Sequence, residues 1–324
     1  MQTIATLTLN PAIDACYTVD ALRPTVKLHG AKGRFEPGGG GINVTRVLAR
    51  LGVTARAYYC SGGPSGIALD AMLDQHLLVR HALKVGAATR MSVSVVEAAS
   101  GLQYRIVPEG EALAEQEWRD CLALVARDPS ALVVASGSLP PGVPIDFYAR
   151  LARLTSQRKR RLVLDTSGPA LASALSAGGI FLVKPSREEL QQALGGKALA
   201  DHELASAAAA IVAQGKAEIV AVTLGKDGAV LATRDGVTRL PALDVPAQGS
   251  VGAGDSFLAA MVHAIACERS LGEAFRAGIA AGAAAVLTAG TSLCQREDLA
   301  RLLPRVGALA AAQTAASAER VCGV

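Results

Sequence analysis

Aromatic residues are scarce in this sequence: Phe, Trp and Tyr together make up 3% of 324 residues. So few rings leave little to stack on unpaired bases, which weighs against a single-stranded nucleic-acid binder. A basic stripe is missing as well. Net charge is +4, and the dense basic run at 156–161 falls between a helical and a strand pattern, where it reads as a solvated helix end. The six cysteines contain no C-x-x-C pair, which argues against a zinc site or a disulfide framework and for a reducing compartment. No basic segment followed by a long apolar run opens the chain, and stretches such as AGIAAGAAAVLTAG are too short for a membrane span. The expectation is a soluble, cytoplasmic protein with no nucleic-acid or membrane partner. Four common catalytic patterns are absent too: G-x-x-x-x-G-K-[ST], G-x-G-x-x-G after a strand, H-E-x-x-H and G-x-S-x-G. The five histidines fall in no catalytic spacing.

What is present is a globular α/β pattern. Hydrophobic residues make up 51% and charged residues 19%. Short apolar, β-branched runs (IATLTLN, ARAYYC, ALVVASGS, RLVLDTS, IFLVKPS, AEIVAVTLG) alternate with helical patterns. Strands that are apolar throughout are buried on both faces, which predicts a mostly parallel sheet between layers of helices. Two segments, about 15–36 and 88–108, alternate instead, the pattern of an antiparallel sheet with one face exposed. They are either an edge hairpin or a flap over a site. The last residues, 309–324, are Ala-rich and weakly patterned, and read as a loosely attached tail.

Two glycine clusters carry the chemistry. In FEPGGGGINVTRVL, Gly38, Gly39, Gly40 and Gly41 precede a helix whose first turn holds Asn43. Consecutive glycines let a backbone approach a ligand closely, and the helix start offers unpaired N–H groups. The bland alternative is a flexible loop entering a helix. In VGAGDSF, the amides of Gly252, Ala253 and Gly254 could converge on an anion while Asp255 stands in the first helical turn. Such a hole suits the charge on a transferring phosphoryl group, and a carboxylate beside it can accept a hydroxyl proton. Asp255 could equally be a helix cap. No lysine follows these glycines, as it would in a P-loop.

The segments GGGGINVTRVL, SGSLPPGVP, LVKPSREEL, VTLGKDGA and VGAGDSF occur in the order and spacing of the PfkB (ribokinase-like) family of sugar kinases, over about residues 3–303. With TLNPAID at the start and the late GTSLC, the chain most resembles the 6-phosphofructokinase branch of that family. The resemblance implies an α/β three-layer sandwich over residues 1–308, with a mostly parallel central sheet and a small β-sheet lid. It implies ATP-dependent phosphorylation of fructose 6-phosphate to fructose 1,6-bisphosphate, with Asp255 as catalytic base. Related sugar-phosphate specificities, 1-phosphofructokinase and tagatose 6-phosphate kinase, compete with this reading, as does a catalytically silent sensor. The first two branches usually carry a lysine within the glycine run, where this chain has Gly40.

By the same resemblance, Asp14, the glycines 38–41 and Asn43 bind the sugar, although Asp14 could also be a turn residue after Pro11. Arg90 and Ser138 stand at positions expected to hold the sugar phosphate, and a guanidinium suits phosphate bidentately. Lys27 matches a lysine that projects from the lid, in some members into the neighbouring subunit, and His29 stands beside it in place of an arginine. Lys184, Ser186, Thr223, Gly225, Gly228 and Ala283 match positions along the ATP groove, with Ser186 where the family usually has asparagine. Glu189 is expected to help hold Mg2+ through water. Gly249, Val251, Ala285, Thr288, Gly290 and Ser292 match a loop that binds K+. A homodimer formed lid to lid is expected, because lone lid strands would expose a sheet edge and an apolar face.

Overall fold

The computed structural model describes residues 1–322 except Lys32, Ser250 and residues 288–292, with side chains described as far as residue 309. Strands β1 (Ile4–Thr8), β4 (Ala55–Ser61), β5 (Val79–Lys84), β8 (Leu132–Ser136), β9 (Arg161–Asp165), β10 (Ile180–Val183), β11 (Ala217–Thr223), β12 (Ala229–Thr233) and β13 (Gly236–Leu240) form one sheet. Its order is β13-β12-β11-β10-β9-β8-β1-β4-β5. Every pairing from β5 to β11 is parallel, and β12 and β13 add an antiparallel edge.

Alternate residues of each strand feed different layers. Leu132 and Val134 of β8 join the core under α1 (Gly40–Arg50), α8 (Ala253–Ala266), α9 (Leu271–Ala285) and α10 (Arg296–Cys322). Val133 and Ala135 of the same strand join the core under α3 (Glu115–Arg127), α4 (Phe147–Gln157), α5 (Gly168–Ala177), α6 (Arg187–Ala193) and α7 (Asp201–Ala213). Apolar runs without alternation therefore become strands covered on both faces. A smaller core of Ile13, Ile42, Tyr59, Leu69 and Leu73 seats α2 (Gly63–Asp74). Strand order reverses at β1, between β4 and β8, so a crevice opens beyond the carboxyl ends of β1 and β8.

A second sheet, ordered β3-β2-β6-β7, is built from β2 (Ala12–Val19), β3 (Arg34–Gly38), β6 (Arg90–Glu97) and β7 (Gln103–Ile106). The alternating segments predicted an antiparallel sheet. The two hairpins, β2–β3 and β6–β7, are antiparallel, but they join through a parallel β2–β6 pairing running from Ala12↔Arg90 to Val19↔Glu97. The parallel register follows from connectivity: β2 leaves the end of β1, and β6 follows β5, both pointing away from the large sheet. The Ala-rich segment at the C-terminus continues the helix α10 as far as Cys322. Alanine has the highest helix propensity, so a weak apolar pattern does not prevent a helix. Among the described residues no helix is long and apolar enough to cross a membrane.

Candidate active site

Helix α8 starts at a left-handed Gly252 (φ 79°), which lets the chain turn sharply and point the next amides outward. Ala253, Gly254 and Asp255 form its first turn, whose N–H groups have no acceptor within the helix. Asn43, in the first turn of α1, donates from Nδ2 to Asp255 Oδ2 at 2.9 Å. Burial, and then the negative charge of Asp165, push the Asp255 carboxyl up to about 6, against the opposing pull of the Asn43 hydrogen bond and Lys184. A carboxylate so poised is ionised at neutral pH yet basic enough to take a proton from a hydroxyl.

The lysine that the glycine loop lacks comes from elsewhere in the chain. Lys184, just past β10, is 4% exposed, and its Nζ lies 3.4 Å from where a Cβ on Gly254 would be. Nζ also lies 3.0 Å from Asp165 Oδ1 at the end of β9. Burial would pull the ammonium pKa down, but Asp165, Glu189 and Asp255 outweigh it and hold it above its ordinary value. One buried cation is thus shared by three carboxylates. Burial, with a further push from Asp165, likewise raises Glu189.

That surplus of negative charge fits a divalent cation. Asp165 and Glu189 would hold it, and no trio of His, Cys, Asp and Glu among the described residues is grouped to bind a metal unaided. Mg2+, which keeps waters and takes the remaining ligands from phosphates, suits so sparse a donor set. Ser186 lines the cavity described below and also caps the helix that carries Glu189. It is the N-cap of α6, its Oγ accepting from Glu189 N at 3.2 Å while its own N–H donates to Glu189 Oε2 at 2.7 Å. This capping box fixes Glu189 in place.

From Ala253 and Gly254 a cavity of about 680 Å3 extends along the surface, lined by Ser186, Thr223, Gly225, Gly228 and Ala283. Each of these was expected at a nucleotide site. Gly228 has φ 98°, and a Cβ there would fall 2.0 Å from the Leu240 carbonyl oxygen, so only glycine closes this wall. Phe257, Ile279 and Val286 give the cavity an apolar side.

On the other side of Asp255 lies the glycine run, and all four of its glycines are demanded by the chain itself: Gly39 has φ 112°, and a Cβ there would fall 2.7 Å from Thr8 Cγ2. A Cβ on Gly38 would fall 2.3 Å from Asp14 Oδ2, one on Gly40 2.0 Å from Ser136 Oγ, and one on Gly41 2.6 Å from Leu7 O. The run therefore lets α1 press onto the ends of β1 and β8, which carries Asn43 to Asp255. Asp14 is 7% exposed, and burial raises its carboxyl against the pull of Arg105, a hydrogen bond with Ser92, Arg90 and Arg46. Arg90 is tied to the backbone: Nη1 donates to Pro108 O at 2.7 Å and Nη2 to Asn10 O at 3.0 Å, while its buried Nε has no partner among the described residues. Asn10 Nδ2 in turn donates to Ser138 Oγ at 3.2 Å. Thus Asp14, Asn43, Arg90, Ser138 and Asp255 gather at the switch-point crevice. Lys27 and His29 are exposed in the segment between β2 and β3.

A family model for pfkB family carbohydrate kinases matches residues 7–298. The chain belongs to this family. It is 41% identical over 300 residues to the ATP-dependent 6-phosphofructokinase isozyme 2 of Mycobacterium tuberculosis, covering 92% of this chain and 88% of that one. It is 37% identical over 270 residues to a 1-phosphofructokinase of Xanthomonas campestris, covering 80% of this chain and 83% of that one. Among solved structures, phosphofructokinase-2 from Escherichia coli in complex with potassium superposes with a TM-score of 0.91 at 38% identity, covering 95% of this chain and all (100%) of that one. The α/β architecture with a separate small sheet is the ribokinase-like fold expected from the sequence.

For a pfkB-family chain, two site residues escaped sequence reasoning. Asp165 ends an apolar strand, a position where α/β proteins place ligand-facing groups, and that was the available signal. Arg105, on the exposed strand β7, acts on both Asp14 and Arg90 through its charge. It becomes apparent only once β7 is paired to β6. Of the positions matched to a K+ loop, Gly249 lines the cavity, Val251 is partly buried and Ala285 ends α9. Thr288, Gly290 and Ser292 lie outside the described residues.

Proposed function

We propose that this protein transfers the γ-phosphoryl group of ATP to the C1 hydroxyl of fructose 6-phosphate, giving fructose 1,6-bisphosphate and ADP. The observation that carries the reading is the position of Asp255: it stands between a long nucleotide-sized cavity and a polar crevice, in the turn that presents the free amides of α8. Asp255 accepts the C1 hydroxyl proton as that oxygen attacks phosphorus. The amides of Gly252, Ala253 and Gly254, the α8 dipole and Lys184 Nζ stabilise the phosphoryl oxygens in flight. Asp165 and Glu189 would hold Mg2+, which would supply charge neutralisation on the nucleotide phosphates.

The ATP adenosine is assigned to the cavity bounded by Thr223, Gly225, Gly228 and Ala283, and Ser186 acts by fixing Glu189. Asp14, the backbone of Gly38, Gly39, Gly40 and Gly41, and Asn43 orient the sugar. Arg90, Arg105 and Ser138 hold its phosphate, with Arg90 exchanging one of its backbone partners for the ligand. A monovalent-cation role for the loop containing Gly249, Val251, Ala285, Thr288, Gly290 and Ser292 rests on its likeness to an enzyme solved with potassium.

A substrate panel tests the assignment. Purified protein with ATP and Mg2+ is expected to give its highest kcat/KM with fructose 6-phosphate, measured against fructose 1-phosphate and tagatose 6-phosphate, with and without K+. Highest kcat/KM on fructose 1-phosphate would transfer the chain to the specificity of its Xanthomonas relative, and no Mg2+-dependent turnover on any of the three would sink the kinase reading.

A further inference from the structure

Arg46 is an arginine of α1 whose side chain is only 3% exposed. A guanidinium withdrawn so far from water is costly unless its donors are filled. Nη2 donates to Glu36 Oε2 at 2.7 Å, and Nη1 to the Pro37 carbonyl at 2.9 Å and to Asn43 Oδ1 at 3.4 Å. Its Nε is buried without a partner among the described residues. Nothing in the phosphoryl transfer described above uses this residue, yet its partners lie on both sides of the site. Glu36 and Pro37 belong to β3, at the root of the small sheet, where Glu36 pairs in register with Asp14. Asn43 stands one turn earlier on α1 and passes a hydrogen bond to Asp255 at 2.9 Å.

The direction of this chain is forced by its ends. Arginine has donors only, and an ionised carboxylate accepts only. The amide between them must turn its oxygen toward Arg46 and its NH2 toward Asp255. Without Arg46 the Asn43 amide is free to turn over and set its oxygen against the carboxylate, which removes the hydrogen bond and adds repulsion.

We propose that Arg46 is a positioning residue for phosphoryl transfer: it fixes the Asn43 amide, which engages one oxygen of Asp255 and leaves the other for the sugar hydroxyl. Through Glu36 and Pro37 it keys that alignment to the root of the small sheet. The inference rests on Asp255 being the base, and it concerns the chemical step more than nucleotide binding.

The test is a double-mutant cycle of Arg46→Met and Asn43→Ala, assayed on whichever sugar phosphate of the panel the wild type phosphorylates, so that a wrong substrate assignment does not touch it. Arg46→Met should lower kcat roughly 10–100-fold with KM for ATP within about twofold, and the double variant should fall no more than about threefold below the weaker single variant. Arg46→Lys keeps a buried cation for Glu36 but has one nitrogen in place of the fork, so it should fold, as judged by thermal unfolding, and keep a low kcat. If the Met variant does not fold, Arg46→Lys takes its place in the cycle. Losses that multiply in full, or a wild-type kcat in Arg46→Lys, would overturn the proposal.

Discussion

Asp255 is placed where two demands conflict. To act as a base it must be ionised, and its surroundings make ionisation costly. With the carboxyl raised to about 6, protonation on the acid side removes the base, so kcat/KM should fall as pH drops, with a midpoint near 6 in a rate profile. The stability consequence has the opposite sign. A folded pKa above the unfolded 3.8 means the folded state holds the proton more tightly, so the cost of the buried charge grows as pH rises from 3.8 to about 6 and is full at neutral pH. Asp255→Asn should therefore lower kcat by about 10²–10⁴-fold while leaving sugar KM nearly unchanged. The same change should raise Tm at pH 7, because it removes the ionisation and keeps an acceptor for Asn43. Unaltered turnover would disprove the base assignment, and a lower Tm would disprove the stated cost of ionisation.

At the scale of elements, what the site requires is delivered by helix starts. α1 brings Asn43, α6 brings Glu189 and α8 brings the amides and Asp255; α1 and α6 follow their strands within a few residues, and α8 follows the longer connection 241–252. The cap of α6 makes a direct prediction. Ser186→Ala should cost about 1 kcal/mol in denaturant unfolding, whereas Ser186→Asn, a residue that also caps well, should stay within a few tenths of the wild type. In steady-state titration Ser186→Ala should weaken the apparent Mg2+ affinity and Ser186→Asn should keep it, because the cap fixes Glu189. Most of these elements could be read from sequence, since apolar strands and capped helices have local causes. Three strands could not. β5 alternates partly exposed residues with no apolar run, and β13 is exposed at Gly236, Val237, Thr238 and Arg239. As edge strands they are held by neighbours rather than by their own pattern, and β12 was obscured with its partner. The parallel β2–β6 pairing depends on the direction in which two distant hairpins leave the large sheet, which no local pattern encodes.

For the molecule as a whole, the small sheet leaves several large apolar side chains exposed. Phe35 is 50% exposed, Met91 45%, Tyr104 45% and Ile106 67%. Lys27 and His29 are exposed as well, in the segment between β2 and β3. A homodimer formed through this sheet would cover the patch, and it would offer Lys27 a place at a partner's site. Sedimentation should show a dimer at micromolar concentration, and Ile106→Glu should shift it toward monomer with raised sugar KM. A fully active wild-type monomer would refute this. At this scale the sequence was least informative about why its residues were what they were. The glycine run was visible at once and drew a ligand-binding reading, but its tightest contacts are with the protein's own Asp14, Ser136 and Leu7. Asp165 and Arg105 entered the site only through the sheet order.

Those contacts also bear on how specificity could change over time. The run that seats α1 leaves no space for a side chain at Gly40, because the first atom added would fall 2.0 Å from Ser136 Oγ and 2.9 Å from Ser136 Cβ. A side chain at this position, lysine included, therefore requires the strand end at Ser136 to give way as well, so a change at Gly40 is coupled to a change at Ser136.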